Sequence, residues 1–316
     1  MVLLEVKNLK TYYFLPDGVV RAVDGVTLKI DKGEIIGLVG ESGSGKSTLG
    51  LSILKLVPPP GRIVGGSILF EGTDLVGLSE EEMEKIRGAK ISMVFQDPLT
   101  SLDPLMRVGD QLVETIMAHR NVSKSEAVKM AKKYLEMVGI SGERFYDYPH
   151  QFSGGMRQRS MIAMAISTNP SLLIADEPTT ALDVIVQAQI MKLFEKLRKE
   201  LGLSIILITH DISVAMEVAD NIGVMYAGQL VEHASSYEIY REPLHPYTKG
   251  LMEAVPNIEL EDMKLHYIPG DPPDLSNPPK GCRFAPRCRE KMSVCEREEP
   301  PELKIDNRMV RCFLYE

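Results

Sequence analysis

The sequence predicts an α/β fold, and three short apolar segments carry that prediction. They read EIIGLVG, SLLIAD and SIILITH, and continuous apolar runs of this kind are typical of parallel strands that are buried on both faces. Each run ends in a glycine or a polar residue. Because ligands of open α/β sheets bind at the carboxyl ends of the strands, we expect functional residues to follow these runs.

The overall composition is that of a soluble globular protein. The chain has 316 residues, 44% of them hydrophobic, which is enough for one large domain or two ordinary ones. No apolar run approaches the roughly 18–20 residues that a membrane helix needs, and the N-terminus lacks the features of a signal peptide, so we expect a cytoplasmic protein. The net charge of −8 argues against non-specific binding of nucleic acid, which depends on clustered Lys and Arg.

The texture of the sequence changes along the chain. Strands and turns are predicted over residues 1–95, with one helix after a glycine loop, and mostly helices over 98–170. The best-marked helix begins with a capping box of Ser123 and Glu126 and stops at Gly139.

A domain boundary is expected near residue 235, where prolines become dense and periodicity fades. We therefore predict a nucleotide-binding domain over 1–235, with a helical subdomain at about 97–165, and a small, irregular, cysteine-containing extension over 236–316.

A phosphate-binding pattern, G-x-x-x-x-G-K-[ST], follows the first apolar run and precedes a helix-compatible segment, which is the context that this pattern requires. Its glycines let backbone N–H groups curl around phosphate oxygens, and the helix N-terminus adds its positive dipole end. Lys46 is placed to pair with the β- and γ-phosphates, and Ser47 to bind Mg²⁺. The predicted nucleotide-binding residues are Gly40, Ser42, Gly43, Ser44, Gly45, Lys46, Ser47 and Thr48.

Two adjacent carboxylates close the second apolar run. Asp176 is a candidate for the Mg²⁺ shell, and Glu177 for activating the attacking water. An apolar strand that ends in Asp-Glu is a weak signal by itself, but the glycine loop upstream makes this pair a strong prediction of nucleotide hydrolysis.

A third segment, FSGGM, lies shortly before the acidic pair and taken alone predicts only a loop or a helix start. In combination, the order and spacing of six motifs within residues 3–235 resemble the nucleotide-binding subunits of ABC transporters. The resemblance implies a P-loop ABC ATPase domain, with a RecA-like mixed sheet and a helical subdomain, that binds ATP and Mg²⁺. FSGGM differs from the usual L-S-G-G-Q signature at Phe152 and Met156.

The resemblance assigns roles to further residues. Gln96 is similar to the Q-loop glutamine, which meets both nucleotide and Mg²⁺, and His210 to the switch histidine. Thr180–Asp183 resembles the D-loop, with Asp183 near the nucleotide, and Tyr13 the adenine-stacking aromatic, with Tyr12 as an alternative. The expected catalytic residues are Lys46, Gln96, Glu177 and His210, and the expected Mg²⁺ ligands are Ser47, Gln96 and Asp176.

Members of this family form head-to-tail dimers around two ATP molecules, and hydrolysis drives a conformational change in the permease. The resemblance implies that Ser153, Gly154 and Gly155 meet the nucleotide held by the opposite subunit. A helix N-terminus that faces phosphate gives this contact its physical basis.

Three segments resemble the ATPases of dipeptide and oligopeptide importers: FQDPLTSLDPLMRVGDQ, HPYTKGLMEAVP and the cysteine-containing tail. The expected partners are a second, homologous ATPase in a heterodimer, two permeases and, indirectly, an external solute-binding protein. The expected location is the cytoplasmic face of the membrane. Nickel or oligosaccharide remains an alternative solute.

All four cysteines lie in the last 35 residues: Cys282, Cys288, Cys295 and Cys312. Clustering in a cytoplasmic protein favours a metal site over disulfides, but the C-x5-C-x6-C-x16-C spacing does not choose the metal. The family resemblance favours a [4Fe–4S] cluster, with zinc or free thiols as alternatives. Neighbouring arginines, namely Arg283, Arg287, Arg289 and Arg311, are expected to offset cluster charge or to be solvated.

Two other functions compete with transport. A soluble ABC ATPase acting on nucleic acid or the ribosome usually has two fused ATPase units, a long coiled coil or a zinc-finger insertion, and the sequence predicts none of these. A P-loop kinase would leave the signature, D-loop and switch histidine without a role.

Overall fold

The computed structural model describes residues 1–97, 101–255 and 267–316. Its strands are β1 (Val2–Leu15), β2 (Gly18–Asp31), β3 (Ile35–Val39), β4 (Gly61–Phe70), β5 (Thr73–Asp74), β6 (Ile91–Val94), β7 (Leu172–Asp176), β8 (Ser204–Thr209), β9 (Asn221–Tyr226), β10 (Gln229–Ser235), β11 (Glu302–Ile305) and β12 (Arg308–Arg311). Its α-helices are α1 (Lys46–Ile53), α2 (Glu80–Glu84), α3 (Val108–His119), α4 (Lys124–Met137), α5 (Gly154–Ile166), α6 (Val184–Leu201), α7 (Ile212–Val218), α8 (Ser236–Arg241) and α9 (Pro246–Glu253). Short 3-10 turns occupy Gly142–Tyr146, Pro149–Gln151, Ala285–Arg287, Ser293–Glu296 and Phe313–Tyr315.

The chain divides into two compact units. The first unit consists of Met1–Asp31, Ile36–Gly77 and Thr209–Glu316, and the second of Lys32–Ile35 and Leu78–Ile208. Residues 98–100 of the first importer-like segment and Pro256 at the end of the second lie outside the described residues, and 98–100 are also near the start of the predicted helical subdomain.

Strands of the first unit form two groups. One is antiparallel, in the order β2-β1-β4-β5. In the other, β11-β12-β10-β9-β3, only β3 and β9 run parallel. All five residues of β3 are buried, as its continuous apolar sequence predicts.

Three parallel strands, β6, β7 and β8, lie side by side in the second unit. Every residue of β7 and β8 is buried, so the α/β prediction from the apolar runs is confirmed. Val94 pairs with Ala175 across β6 and β7, and the residues that follow these strands therefore emerge at the same sheet edge.

Helix α4 confirms the prediction made from its capping pattern. The N–H of Glu126 donates to Ser123 Oγ at 3.3 Å, and Glu126 Oε2 accepts the N–H of Ser123 at 2.9 Å. Past the end of the helix, Gly139 adopts a φ of +80°, which glycine tolerates better than other residues. Ala127, Ala131 and Leu135 form the buried face.

The C-terminal extension is more regular than the sequence predicts. It contains α8 and α9, and a hairpin of β11 and β12 whose second strand pairs with β10 through Glu232 and Val310. Val310 packs with Leu244 and Cys312 in a small apolar cluster. Four-residue strands are too short to show a clear alternation, and their pairing partner is distant in sequence, so the expectation of an irregular extension was wrong here.

A short helix, α2, also interrupts the region that was predicted as strands and turns, with a capping box formed by Ser79 and Glu82. Within the described ranges, no helix combines the length and the apolarity needed to cross a bilayer.

Candidate functional site

The phosphate-binding pattern forms a tight loop between β3 and α1, both of which lie in the first unit apart from Ile35. Gly40 has a φ of +155°, and a Cβ there would lie 2.1 Å from the backbone oxygen of Met225. Gly45 has a φ of +100°, and a Cβ there would lie 2.0 Å from the backbone oxygen of Ala22. Any side chain at these positions would collide with backbone atoms, so the loop requires glycine at both.

Lys46 is buried at the start of α1 and folds back into the loop. Its Nζ donates to the backbone oxygens of Gly40 and Glu41, at 2.6 and 2.9 Å, and to Ser44 Oγ at 3.2 Å. The ammonium is thus fixed beside the N-terminus of a helix, where backbone N–H groups and the helix dipole attract anions. A phosphate group is the ligand that this arrangement fits.

The rest of the pattern provides hydroxyl groups near the same helix end. Ser42 is exposed, whereas Ser47 and Thr48 are half-buried. The hydroxyls of Thr48 and Tyr13 are 3.5 Å apart.

The structure distinguishes the two neighbouring tyrosines. Tyr12 donates to Asp24 Oδ1 at 2.7 Å, and burial, followed by this hydrogen bond, raises the pKa of Tyr12 to about 12. Tyr13 contacts Thr48 of α1 instead. Of the two candidates for the adenine contact, Tyr13 is therefore the one placed next to the phosphate loop.

The second unit holds the predicted acidic pair. Asp176 is the last residue of β7, and Glu177 follows with a φ of +48°. Both are buried, and the N–H of Glu177 donates to the oxygen of Ile208 at 2.9 Å. The hydroxyl of Thr180 donates to Glu177 Oε2 at 3.1 Å and orients that carboxylate.

Gln96 follows β6 and is exposed. Since Val94 pairs with Ala175, the chain after β6 leaves the sheet at the edge that carries Asp176. Gln96 and the two carboxylates thus share one end of the parallel strands, as the sequence predicts.

The signature segment begins helix α5. Ser153 is its N-cap, and the Ser153 hydroxyl accepts the N–H of Met156 at 3.3 Å. A Cβ at Gly155 would lie 2.6 Å from Val186 Cγ1, which means that α5 starts in close contact with α6. Asp183 caps α6 and accepts the N–H of Val186 at 2.9 Å. The positive ends of two helices therefore meet at one surface, a setting suited to an anion.

Phe152 replaces the usual leucine of the signature and fills a buried position before α5. Its side chain is 3% exposed, and the guanidinium of Arg144 lies 5.1 Å from its ring centroid. The position requires a large apolar side chain, which phenylalanine supplies as well as leucine does.

His210 directly follows β8 and is exposed. The next residue, Asp211, caps α7 by accepting the N–H of Ser213 at 2.8 Å. The structure thus places His210 at a strand end, between β8 and α7, where the sequence predicted it.

All four cysteines line one small cavity, together with His245 and Phe284. They are free thiols. Burial raises the pKa of Cys282 to about 11 and also raises the pKa values of Cys288 and Cys312. These three thiols are therefore neutral at pH 7 in the absence of a cation.

The expected metal centre is not formed in this arrangement. Over residues 1–97, 101–255 and 267–316, no group of three or more His, Cys, Asp or Glu side chains has the geometry to hold a metal ion. The clustering of the cysteines in the sequence correctly predicted that they lie close together. It does not determine their side-chain rotamers, on which the geometry of a metal site depends.

Sequence reasoning missed several residues that shape the phosphate loop. The N–H of Glu41 donates to the hydroxyl of Tyr247 at 2.9 Å, and the carboxylate of Glu41 pairs with Arg287. Tyr247 lies in the segment singled out as importer-like, but nothing in that motif indicates its contact with the loop.

Family models match two regions of the chain. Residues 23–180 match the model described as ABC transporter, and residues 231–295 match the one described as oligopeptide/dipeptide transporter, C-terminal region. Similar proteins include the oligopeptide transport ATP-binding protein OppD of Bacillus subtilis strain 168, at 52% identity over 99% of this chain and 88% of that protein. The dipeptide transport ATP-binding protein DppD of the same organism is 50% identical over 98% and 94%, and OppD of Escherichia coli strain K12 is 48% identical over 98% and 93%.

Solved structures agree. A dimeric post-hydrolysis state of the ATP-binding cassette MJ0796 bound to ADP and Pi has a TM-score of 0.67 and 31% identity, covering 74% of this chain and 99% of the other. CbiO1 of Clostridium perfringens, part of the ABC transporter complex cbiONQ, has the same TM-score and 32% identity, covering 76% and 91%. The fold and the phosphate loop define a P-loop ATPase, and the chain belongs to the ABC transporter family of ATP-binding proteins.

Proposed function

We propose that this chain is the ATP-hydrolysing subunit that powers an ABC importer of dipeptides or oligopeptides. The observation that carries the proposal is the loop in which Lys46 is held by Gly40, Glu41 and Ser44 at the start of α1. Such a loop suits nucleotide phosphates. The peptide class of solute is supported by the match of residues 231–295 and by the names of the full-length relatives.

Lys46 and the N–H groups at the start of α1 are proposed to bind the β- and γ-phosphates, with Tyr13 against the adenine. Mg²⁺, when bound, supplies charge compensation to the phosphate oxygens. Asp176, Ser47 and Gln96 are proposed as its oxygen ligands, and the buried carboxylate of Asp176 suits this hard cation.

Glu177 is proposed to orient the attacking water and accept its proton. Its Oε2 accepts a hydrogen bond from Thr180, which limits rotation of the carboxylate. His210 is proposed to stabilise the charge that develops on the transferred phosphate. Phosphoryl transfer depends mainly on this kind of positioning and charge stabilisation.

A second ATPase subunit is proposed to complete the site. The surface formed by Ser153, Gly154, Gly155 and Asp183 combines two helix N-termini, and the dimeric relative supports a role for such cassettes in pairs. We propose a heterodimer with a homologous ATPase, bound to two permeases at the cytoplasmic face of the membrane. An external binding protein would deliver the solute, and no nucleic acid is involved.

We propose that the chain consists of an ATPase domain followed by a C-terminal extension. Residues 1–235, with a helical subdomain at about 97–165, would form the ATPase domain, and residues 236–316 the extension. Strand β10 ends at Ser235, which also caps α8, in support of a boundary there.

The four cysteines are proposed to bind a metal centre, and specifically a [4Fe–4S] cluster. Four sulfur donors around one cavity are the ligand chemistry of such a cluster. The thiols do not yet have the geometry of ligands, so binding requires side-chain rotation. The centre would then act as a structural link within the extension.

The test of the transport function uses the tagged full-length chain in its own host. The chain is captured from detergent-solubilised membranes, and co-purifying proteins are identified by mass spectrometry. Recovery of two multi-spanning permeases and a second, similar ATPase is the expected result, followed by peptide-dependent ATPase activity of that complex. Recovery of ribosomal or DNA-linked partners alone would move the function to the soluble ABC class.

The metal proposal is tested by purification without oxygen. A brown protein with about four iron atoms and four sulfides per chain is expected, and a Cys288→Ser variant should lose most of the iron. A colourless protein with stoichiometric zinc would contradict the cluster.

A further inference from the structure

Two arginines next to the cysteines are buried and form ion pairs with acidic residues far away in the sequence. Arg283 directly follows Cys282, and Arg287 directly precedes Cys288. They are 2% and 6% exposed, and arginine is rarely so buried unless it is paired. Neither is a solvated surface residue. Their ion-pair partners are Asp24 for Arg283 and Glu41 of the phosphate loop for Arg287.

Arg287 makes a bidentate ion pair with Glu41, the second residue of the phosphate pattern. Its Nη1 donates to Glu41 Oε2 at 2.6 Å, and its Nη2 donates to Oε1 at 2.9 Å. Two parallel hydrogen bonds fix the carboxylate in direction as well as in position. The hydrogen bond from the Glu41 side chain raises the pKa of Arg287 further above its ordinary value, so the guanidinium stays charged.

Each polar group of Glu41 has a partner. Its N–H donates to the hydroxyl of Tyr247 at 2.9 Å, and its carbonyl oxygen accepts from Lys46 Nζ at 2.9 Å. The same carbonyl accepts the N–H of Ser44 at 3.2 Å. Glu41 therefore connects the extension to the lysine of the phosphate loop through a single residue.

Aromatic rings keep Arg287 in place. Its Nη1 donates to the hydroxyl of Tyr226 at 3.3 Å, and its guanidinium carbon lies 5.7 Å from that ring centroid. Tyr226 packs on Tyr247 and Phe284, with centroid distances of 4.6 and 5.2 Å. The Nε of Arg287 also donates to the oxygen of Pro269 at 2.9 Å. This cluster leaves the guanidinium few alternative positions.

Arg283 makes a second connection to the loop. It donates to the oxygen of Ala227 at 2.5 Å and pairs with Asp24. The neighbour of Ala227, Gly228, donates its N–H to the oxygen of Ser44 at 2.9 Å. Arg287 thus contacts the loop directly through Glu41, and Arg283 reaches it through Ala227 and Gly228.

We propose that Arg287 is a positioning residue for ATP: by fixing Glu41, it holds the phosphate loop in the shape that binds the nucleotide, which makes the C-terminal extension part of the nucleotide site. The inference rests on the proposed phosphate role of Gly40–Ser47. It predicts an effect on nucleotide affinity that exceeds any effect on the chemical step.

The experiment titrates the full-length chain with a fluorescent ATP analogue and measures KM and kcat for hydrolysis by the complex captured with its partner subunits. Arg287→Ala should weaken binding of the analogue by at least about tenfold, because it leaves the Glu41 carboxylate unpaired next to the phosphates. The kcat at saturating ATP should change less than about threefold, since the groups that act in the chemical step are retained. Arg287→Lys, which keeps the charge but not the bidentate pair, should give an intermediate affinity.

Arg289→Ala is the matched control. Arg289 lies on the other side of Cys288, and its side chain is 64% exposed, with Glu253 at 3.9 Å. This variant should bind the analogue like the unchanged protein. In the charge-reversed pair, Glu41→Arg with Arg287→Glu, affinity should recover relative to either single variant, because the ion pair between the two positions is restored.

Lys46→Ala separates this inference from the proposed function. Loss of binding in Lys46→Ala with unchanged affinity in Arg287→Ala and Arg287→Lys would overturn the positioning role and leave the phosphate site standing. Additive losses in the Glu41 and Arg287 variants would also overturn it. Unchanged binding in Lys46→Ala would remove the phosphate role and this inference with it.

Discussion

The hydroxyl of Thr180 donates a hydrogen bond to Oε2 of Glu177, the residue that directly follows the buried strand β7, at 3.1 Å. Glu177 itself has a positive φ and is anchored through its N–H to Ile208. This burial and orientation agree with the proposed role of Glu177 as general base. The first prediction concerns this residue.

Replacing Glu177 with Gln should preserve ATP binding and reduce hydrolysis by about 10²–10⁴-fold, because the amide cannot accept the proton of the attacking water. Binding is measured with a fluorescent ATP analogue and turnover by phosphate release. The control is Glu200→Gln, an exposed position on α6. Near-normal hydrolysis by Glu177→Gln would remove Glu177 from the catalytic role.

Gly45→Ala should abolish nucleotide binding. The added Cβ would lie 2.0 Å from the oxygen of Ala22, so the loop must change shape. Gly33→Ala provides a matched control, since Gly33 also has a positive φ, +73°, but no atom lies within 4 Å of its added Cβ. That control should lose about 1–2 kcal/mol of stability and bind the nucleotide normally. Equal nucleotide affinity in the two variants would contradict the steric argument.

Ser153→Ala and Ser123→Ala remove equivalent helix caps. In each, a serine hydroxyl accepts a backbone N–H at 3.3 Å. Both variants should lose about 1 kcal/mol in the free energy of unfolding. Only Ser153→Ala should lose ATP-driven association with the second subunit, measured by light scattering with the Glu177→Gln background. Normal association in that variant would exclude the Ser153 hydroxyl from the interface.

Phe152→Leu, which restores the usual signature residue, should retain ATPase activity and lose less than about 1.5 kcal/mol of stability. Phe152→Ala should lose about 3–5 kcal/mol, because the 3%-exposed ring fills a core position. Chemical denaturation of both variants measures the difference. A small loss in Phe152→Ala would show that the ring is not needed for packing.

The stability of the first unit should decrease in mild acid because of His245. Burial lowers its folded pKa from 6.5 to about 3, and its Nδ1 accepts the N–H of Tyr247 at 3.0 Å to cap α9. Between pH 6.5 and about 3 the unfolded chain binds a proton that the folded chain does not, so stability falls as pH falls, by up to about 1.4 kcal/mol per pH unit.

His245→Asn tests this, since asparagine can cap a helix but does not titrate. Its unfolding free energy should depend less steeply on pH between 7 and 5 than that of the unchanged protein. The pKa of His233 is also lowered by burial and that of Glu232 is raised by burial, but both groups are present in each protein. Identical slopes would contradict the assignment to His245.

The sequence by itself determined the features that depend on neighbouring residues. Glycine spacing around Lys46, the acidic end of β7 and the Ser123 capping box each follow from short-range hydrogen bonding or from local backbone conformation. Continuous apolar runs also identified the buried parallel strands, because a strand that is buried on both faces needs apolar residues at successive positions.

Only the tertiary structure decided which distant groups meet. Glu41 pairs with Arg287, which is 246 positions away in the sequence, and the four cysteines line one cavity. Tyr12 forms a hydrogen bond with Asp24, whereas Tyr13 contacts Thr48 of α1. The physical reason is that a buried charged or polar group needs a partner, and that partner can come from any part of the folded chain. Periodicity and spacing in the sequence describe only neighbouring residues, so they do not predict such contacts.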